Sequence, residues 1–204
     1  MSPPELFHVL ASRRMCRDFT ADPLDADSLD RVLGAALGAP AAGNTVALEL
    51  VVLEGADTSR YWDLTLPPQR RPTFRWPGLL RAPVLVLPYV DPGAYVARYA
   101  EQDKAASGLG AGEHAWSVPY WYVDGGAAVM AMLLAAEATG WGALLFGQFE
   151  HEAAVAHELG VPDGRRALGT VALGHPAPGG RTPSGSARRG RPPASERVHR
   201  GSWA

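Results

Sequence analysis

Residues 123–139 read VDGGAAVMAMLLAAEAT. The stretch is long enough for several helical turns, lacks proline, and is apolar on nearly every side. A surface helix would carry one apolar stripe and one polar face. This one has no polar face, so it is predicted to be a central helix packed all round. Its alanines and glycines permit close backbone approach. Glu137 interrupts the apolar run, and the run from Ala127 to Ala136 is too short to span a bilayer. The helix therefore belongs to a protein core. Gly140–Phe146 follows as a short, bulky segment and is predicted as a strand beside that helix.

Upstream, Glu5–Ser12 has the spacing of a short amphipathic helix, with Leu6, Val9 and Leu10 on one face. A second helix is marked by acidic residues at its start and by Leu29, Val32, Leu33 and Leu37, and is stopped by Gly38 and Pro40. Leu48–Leu53 and APVLVLPYV (82–90) read as buried strands. Tyr61–Trp76, rich in proline and arginine, reads as a loop. Pro92–Lys104 reads as a helix, EHEAAVAHELGV (150–161) as a surface helix, and RRALGTVALGH (165–175) as a fourth strand. Helices and strands mix without a strict βαβ rhythm. The predicted class is α+β, a mixed or antiparallel central sheet flanked by helices. Residues 1–175 form the predicted domain. Residues 176–204, mostly Gly, Pro, Ser and Arg, form an extended basic C-terminal arm.

Composition narrows the function. The chain has 204 residues and a formal net charge of −2. No global field draws in nucleic acid, so any basic surface acts locally. A single cysteine, Cys16, rules out an internal disulfide and a thiolate zinc cluster. The opening MSPPELFHVL lacks the basic start and long apolar run of a signal peptide, which gives a cytoplasmic expectation. No Gly-x-Gly-x-x-Gly follows a strand, and neither a Walker loop nor a Gly-x-Ser-x-Gly elbow is present. The cluster GLGAG (108–112) is a weak phosphate signal. His151 and His157, six apart, do not stack on one helix face, so no metal site is expected.

The arginines remain. Arg13, Arg14 and Arg17 crowd the end of the first helix, and Arg188, Arg189 and Arg191 gather in the arm. A helix end favours basic residues in any case. Solvated caps, a nucleic-acid contact and a grip on one small anion all fit the first cluster. Two such clusters converging on one phosphate would use the forked geometry of guanidinium.

Residues 12–53 resemble the opening of the flavin-dependent nitroreductase family: an Arg-rich motif ending in Phe19, a helix, then the turn Pro40-Ala41-Ala42-Gly43-Asn44-Thr45 leading into a strand. LLRAPVLVLPYV (79–90), VDGGAAVMAMLLAAEATGWGALLFGQF (123–149), LGVPDGRRALGTVALGHP (159–176) and RRGRPP (188–193) are similar to later landmarks of that family, in its order. The resemblance implies an FMN-binding homodimer with a long central dimer-interface helix and NADH or NADPH as reductant. It implies ping-pong transfer to a small planar organic acceptor such as a nitroaromatic or quinone, with no nucleic-acid or membrane partner. Arg13, Arg14, Met15 and Arg17 fall on its flavin-binding positions, Met15 where a serine is usual. Pro40, Ala41, Ala42 and Asn44 fall on the turn lent by the second subunit. Phe146, Gly147 and Gln148 fall on the loop past the flavin ring, and Arg189 and Arg191 on the pair that closes over the phosphate. The flavin carries the redox step, so no catalytic side chain is named. A dehydrogenase or oxidase of a biosynthetic pathway, and a non-catalytic flavin-binding subunit, are the alternatives. HAWSVPYWYVD (114–124) matches no family landmark; Trp116, Tyr120, Trp121 and Tyr122 serve either core packing or a wall or lid over a planar substrate. Asp124 reads as an ordinary acid at a helix start, and Cys16 as an inert packed residue.

Overall fold

The computed structural model describes residues 5–181, 185 and 189–203. The predicted central helix is α5, Tyr120–Ala138, and it begins one turn earlier than the apolar pattern indicates. The other helices are α1 (Leu6–Ser12), α2 (Ala26–Leu37), α3 (Thr58–Thr65), α4 (Pro92–Ala100) and α6 (Glu152–Glu158). The strands are β1 (Leu48–Glu54), β2 (Val84–Val90), β3 (Gly142–Phe146), β4 (Arg166–Ala167) and β5 (Thr170–Gly174).

The strands form one sheet in the order β1-β2-β5-β3, with β4 also on β2, and every strand pairing is antiparallel. The α+β expectation is met, and the sheet is antiparallel rather than mixed. Among the described residues its one parallel contact is the isolated bridge Met15↔Ala143, which lays the first arginine segment along the edge of β3.

Strand alternation sends side chains to opposite faces. Val84, Val86, Ala143, Val171 and Leu173 pack under α2 and α5, against Leu29, Val32, Met132 and Ala136. Leu85, Leu87, Leu144 and Ala172 face the other way, onto Tyr61 and Trp62 of α3, Val155 of α6, Cys16 and Phe19. Every residue of β2 is buried, because helices cover both faces of the sheet. A third cluster joins Ala47, Val90, Tyr95, Trp116 and Trp121.

Three expectations change. Residues 61–65, the start of the expected loop, are instead part of the helix α3. Arg60 and Trp62 lie on that helix, and Tyr61 and Trp62 are buried through it; the prolines that suggested a loop begin only at Pro67. Second, α4 ends at Ala100, and short 3₁₀ turns carry the chain through GLGAG, where Gly110 presses on the backbone of Ala100. Third, residues 165–175 make two strands. The register shifts by one residue between Val86↔Val171 and Tyr89↔Ala167. Gly169, at φ 104°, absorbs the extra residue as a bulge close to Pro88, which has no N–H to give the ladder.

Among the described residues, no helix is long and apolar enough to cross a membrane. The start of the arm is docked rather than free. Phe19 bridges Pro176, the Ala177 N–H donates to Asp18 O, and the Arg17 N–H donates to Gly180 O at 2.9 Å.

Candidate functional site

Helix α1 ends at Ser12, and the chain runs extended beside β3. Arg14 folds back: its Nη1 donates to Ala11 O at 2.7 Å and Arg13 O at 2.9 Å, so it caps the helix it follows. Cys16 is fully buried, its Sγ 3.2 Å from Asp18 O, and burial pushes the thiol pKa up. That is the signature of a packed cysteine, not a reactive one. Met15 is wedged at the sheet edge against both apolar clusters.

Arg13 is different. Its Nε and Nη1 are shut off from solvent and have no hydrogen-bond partner among the described residues. A guanidinium withdrawn from water without a counter-charge is costly, by several kcal/mol for full burial. Four residues on, the Arg17 guanidinium lies 5.7 Å from the Trp76 ring centre.

Arg17 borders a cavity of about 380 Å³ whose walls include Trp62, Phe74, Trp76, Phe146 and Gln148. The Trp62 and Phe146 rings are stacked, 5.8 Å apart and inclined by 5°. Behind them Gln148 is buried. Its Nε2 donates to Gly169 O and to Thr170 Oγ1, both at 3.2 Å, and its Oε1 has no partner among the described residues. The bulge at Gly169 thus supplies the carbonyl that anchors Gln148. Thr170 in turn donates to the Tyr61 hydroxyl at 3.1 Å. Burial pushes the Tyr61 pKa to about 12, against the opposing pull of its hydrogen bonds to Thr170 and Thr65. Tyr61 is therefore a neutral wall near pH 7. Gly147 lies under the Phe149 ring: a Cβ there would sit 2.8 Å from its far edge and would push that exposed side chain aside. Phe149 is itself exposed and at φ 50°.

The turn at Pro40–Asn44 lies elsewhere. Gly43 and Asn44 take φ of 65° and 53°. The Ala42 N–H donates to Asp124 Oδ2 at 2.7 Å, and the Tyr95 hydroxyl donates to the same oxygen at 2.8 Å. Arg98 Nε donates to Gly43 O at 2.9 Å, while its Nη groups form a fork on Asp103. The turn borders a cavity formed with Tyr99, Trp116 and Tyr120. One chain therefore unites Arg17 with Phe146–Gln148, and holds Ala42 at a separate cavity.

Trp116 and Trp121 are core residues, and Tyr120 and Tyr122 are half exposed. Arg189 and Arg191 are exposed and make no hydrogen bond or ion pair with the described residues; Arg188 lies outside them. Among the described residues, the arm arginine that docks is Arg181, through Glu137 at 2.9 Å and Trp141 O at 2.9 Å. The signal for it in the sequence was Glu137, an acid in an otherwise apolar helix. Asp124 and Arg98 were also missed as supports. Asp124 is one turn inside α5, not at its start, so its carboxylate is free to hold the turn. No group of three or more metal-ligating side chains is found among the described residues.

Solved structures share this arrangement of sheet and helices. The chain superposes on NfrA2 of B. megaterium with a TM-score of 0.71, 18% identity, covering 98% of this chain and 76% of that one. A protein from Desulfovibrio desulfuricans solved in complex with FMN gives 0.68 at 22% identity, with 100% of both chains covered. The NADPH:FMN oxidoreductase of Vibrio harveyi, solved with NAD+, gives 0.69 at 21% identity, covering 98% and 78%. These likenesses establish the fold. The sequence carries the assignment further, because residues 10–175 match the profile of the nitroreductase family from the arginine segment through β5. With that match spanning both the sheet and the segments around the cavity, the chain belongs to the nitroreductase family.

Proposed function

We propose that this chain is an FMN-dependent oxidoreductase that takes hydride from NADH or NADPH and passes it to a small planar acceptor of the nitroaromatic or quinone type. The observation that carries the reading is Arg13, a guanidinium with two nitrogens buried and unpaired, four residues before Arg17, which borders the aromatic cavity. A phosphate monoester, bearing close to two negative charges, is the complement of such a group. The residues present thus fit FMN. Arg13 would hold the phosphate, joined by Arg189 and Arg191 of the arm. Arg17 would place a positive charge at the edge of the ring system, and Phe146, Gly147 and Gln148 would border it. Arg14 is engaged with its own helix and contributes charge only.

When bound, FMN supplies the hydride-accepting and hydride-donating centre. The chain's own residues bind, orient and exclude water. Trp62, Phe74, Trp76 and Phe146 give flat apolar walls, and the neutral Tyr61 keeps charge out of them. One cavity serves donor and acceptor in turn, which gives ping-pong kinetics.

The working unit in this reading is a homodimer. Ala42 and its turn stand apart from the arginines of the same chain, and a second copy would bring them over. Apolar side chains left in water support this: Phe7 is 75% exposed and Val46 92%, and Leu6, Leu10, Leu37, Val123 and Met130 are exposed too. In the same reading residues 1–175 and the arm 176–204 act as one domain, in the cytoplasm.

The test is anaerobic reduction of the FMN-loaded protein by each nicotinamide, followed in the visible spectrum. The band should bleach, and Arg13→Ala combined with Arg191→Ala should abolish flavin retention. Bleaching by an organic substrate alone would favour a dehydrogenase; retained flavin that nothing reduces would favour a binding subunit. A protein that ignores FMN would overturn the reading.

A further inference from the structure

A second cavity, of about 350 Å³, shares Arg17 and Trp76 with the aromatic one. Its walls bring together Arg17, Arg75, Arg81, Asp18 and the glycines of the docked arm. Arg81 is already neutralised: it donates to Phe19 O at 2.9 Å and pairs with the Asp18 carboxylate. Arg17 and Arg75 have no carboxylate. Among the described residues their guanidinium groups rest only against the Trp76 ring, at 5.7 and 5.2 Å from its centre. Two uncompensated positive charges therefore face one concave space.

The floor of that space is fixed. The Asp18 carboxylate is pressed onto Gly78, where a Cβ would fall 1.9 Å from Oδ1, and Gly180 packs against Asp18 O, where a Cβ would fall at 2.2 Å. The Phe19 N–H donates to Gly78 O at 3.2 Å. Three chain segments, from the start, middle and end of the sequence, lock together under the arginines. A shaped and charged cavity of this kind suits an anion rather than a loose surface ion.

We propose that this cavity is an anion subsite that seats a phosphate of the nicotinamide dinucleotide, in the frame of the oxidoreductase reading above. Phosphate matches the charge, since two guanidinium groups balance about two negative charges. The placement matches the geometry, since Arg17 and Trp76 belong to both cavities. A donor whose ring enters the aromatic cavity extends its phosphates past Trp76 to Arg75. Arg13 is not among the residues lining this second cavity, so FMN phosphate and donor phosphate have separate partners.

The experiment uses FMN-loaded wild-type protein with Arg75→Ala and Arg75→Lys. Arg75→Ala should raise the KM of the reductant about tenfold, one charge-assisted contact, leave kcat and the flavin spectrum unchanged, and be partly rescued by Arg75→Lys. An effect confined to NADPH assigns the ribose 2′-phosphate; an equal effect on NADH and NADPH assigns the pyrophosphate. 2′,5′-ADP, titrated by calorimetry, should bind wild type and weaken by the same factor in Arg75→Ala. Unchanged KM for both nicotinamides with unchanged 2′,5′-ADP binding overturns the subsite. So does loss of flavin from Arg75→Ala, which would make Arg75 part of the flavin site. If neither nicotinamide reduces wild type, the oxidoreductase reading fails, and 2′,5′-ADP binding still decides the subsite by itself.

Discussion

Replacing Arg13 with methionine should have opposite effects on the empty and loaded protein. In the empty chain the guanidinium has Nε and Nη1 buried without partners. Methionine matches much of its length and removes the unpaired charge. Full burial of a lone charge costs several kcal/mol; Arg13 is half-buried, so a relief of about 1–2 kcal/mol is the reasonable scale. For a chain of this size that is a rise in Tm of about 2–8 °C. In the loaded protein two charge-assisted hydrogen bonds are lost, each worth about 1.5–3 kcal/mol. FMN should then bind about 10²- to 10⁴-fold more weakly. Ligand-induced stabilisation shrinks with it: FMN at 100 times its Kd adds about 2.7 kcal/mol to wild type, and the same concentration adds little to the variant. The assay is thermal unfolding of flavin-stripped protein, with and without added FMN, alongside a fluorescence titration of FMN quenching. A lower Tm for the empty variant would refute the reasoning, because it would mean that Arg13 already has a stabilising partner inside the protein.

Two further outcomes follow from neighbouring geometry. Asp124→Ala strands the Ala42 N–H and the Tyr95 hydroxyl, both of which donate to Asp124; urea unfolding should show a loss of about 2–4 kcal/mol, and Asp124→Asn should recover much of it. The second concerns alkaline pH. Tyr61 titrates near 12 in the fold because it is buried, against about 10 in an unfolded chain. Its contribution is complete below pH 10 and is lost as pH rises from 10 to 12, at about 1.4 kcal/mol per pH unit. Urea midpoints at pH 9 and 11 should show at least that slope, and Tyr61→Phe should reduce it by that amount, leaving the part carried by Tyr89 and Tyr95, which burial also pushes up.

Much of the architecture was legible because periodicity reports burial directly. The all-apolar run at 123–139 became α5, and the bulky run at 84–90 became the central strand. The helix over residues 61–65 escapes a reading of the sequence because the prolines just beyond them outweigh a short helical pattern. The break at Leu168–Gly169 answers Pro88, some eighty positions away in the chain, so no local pattern reveals it. The candidate site divides in the same way. Arg17, Phe146 and Gln148 do share one cavity. The role of Arg14 as a cap was one of the ordinary readings of a basic helix end. Trp76, Asp124 and Arg181 were invisible as site residues, because each acts on a partner distant in sequence, and Arg75 joins Arg17 at one cavity only through the fold.

The floor beneath Arg17 is stitched from residues 17–19, 76–81 and 177–180. During synthesis the first of these strands of the seam leaves the ribosome early and waits for the last. The charged cavity has no existence until the chain has emerged as far as Gly180. Growing intermediates must therefore hold β1, β2 and α5 without help from any ligand there, because β5, which joins β2 to β3, emerges only just before Gly180, and a chain stopped before Gly180 would lose the means to close the seam.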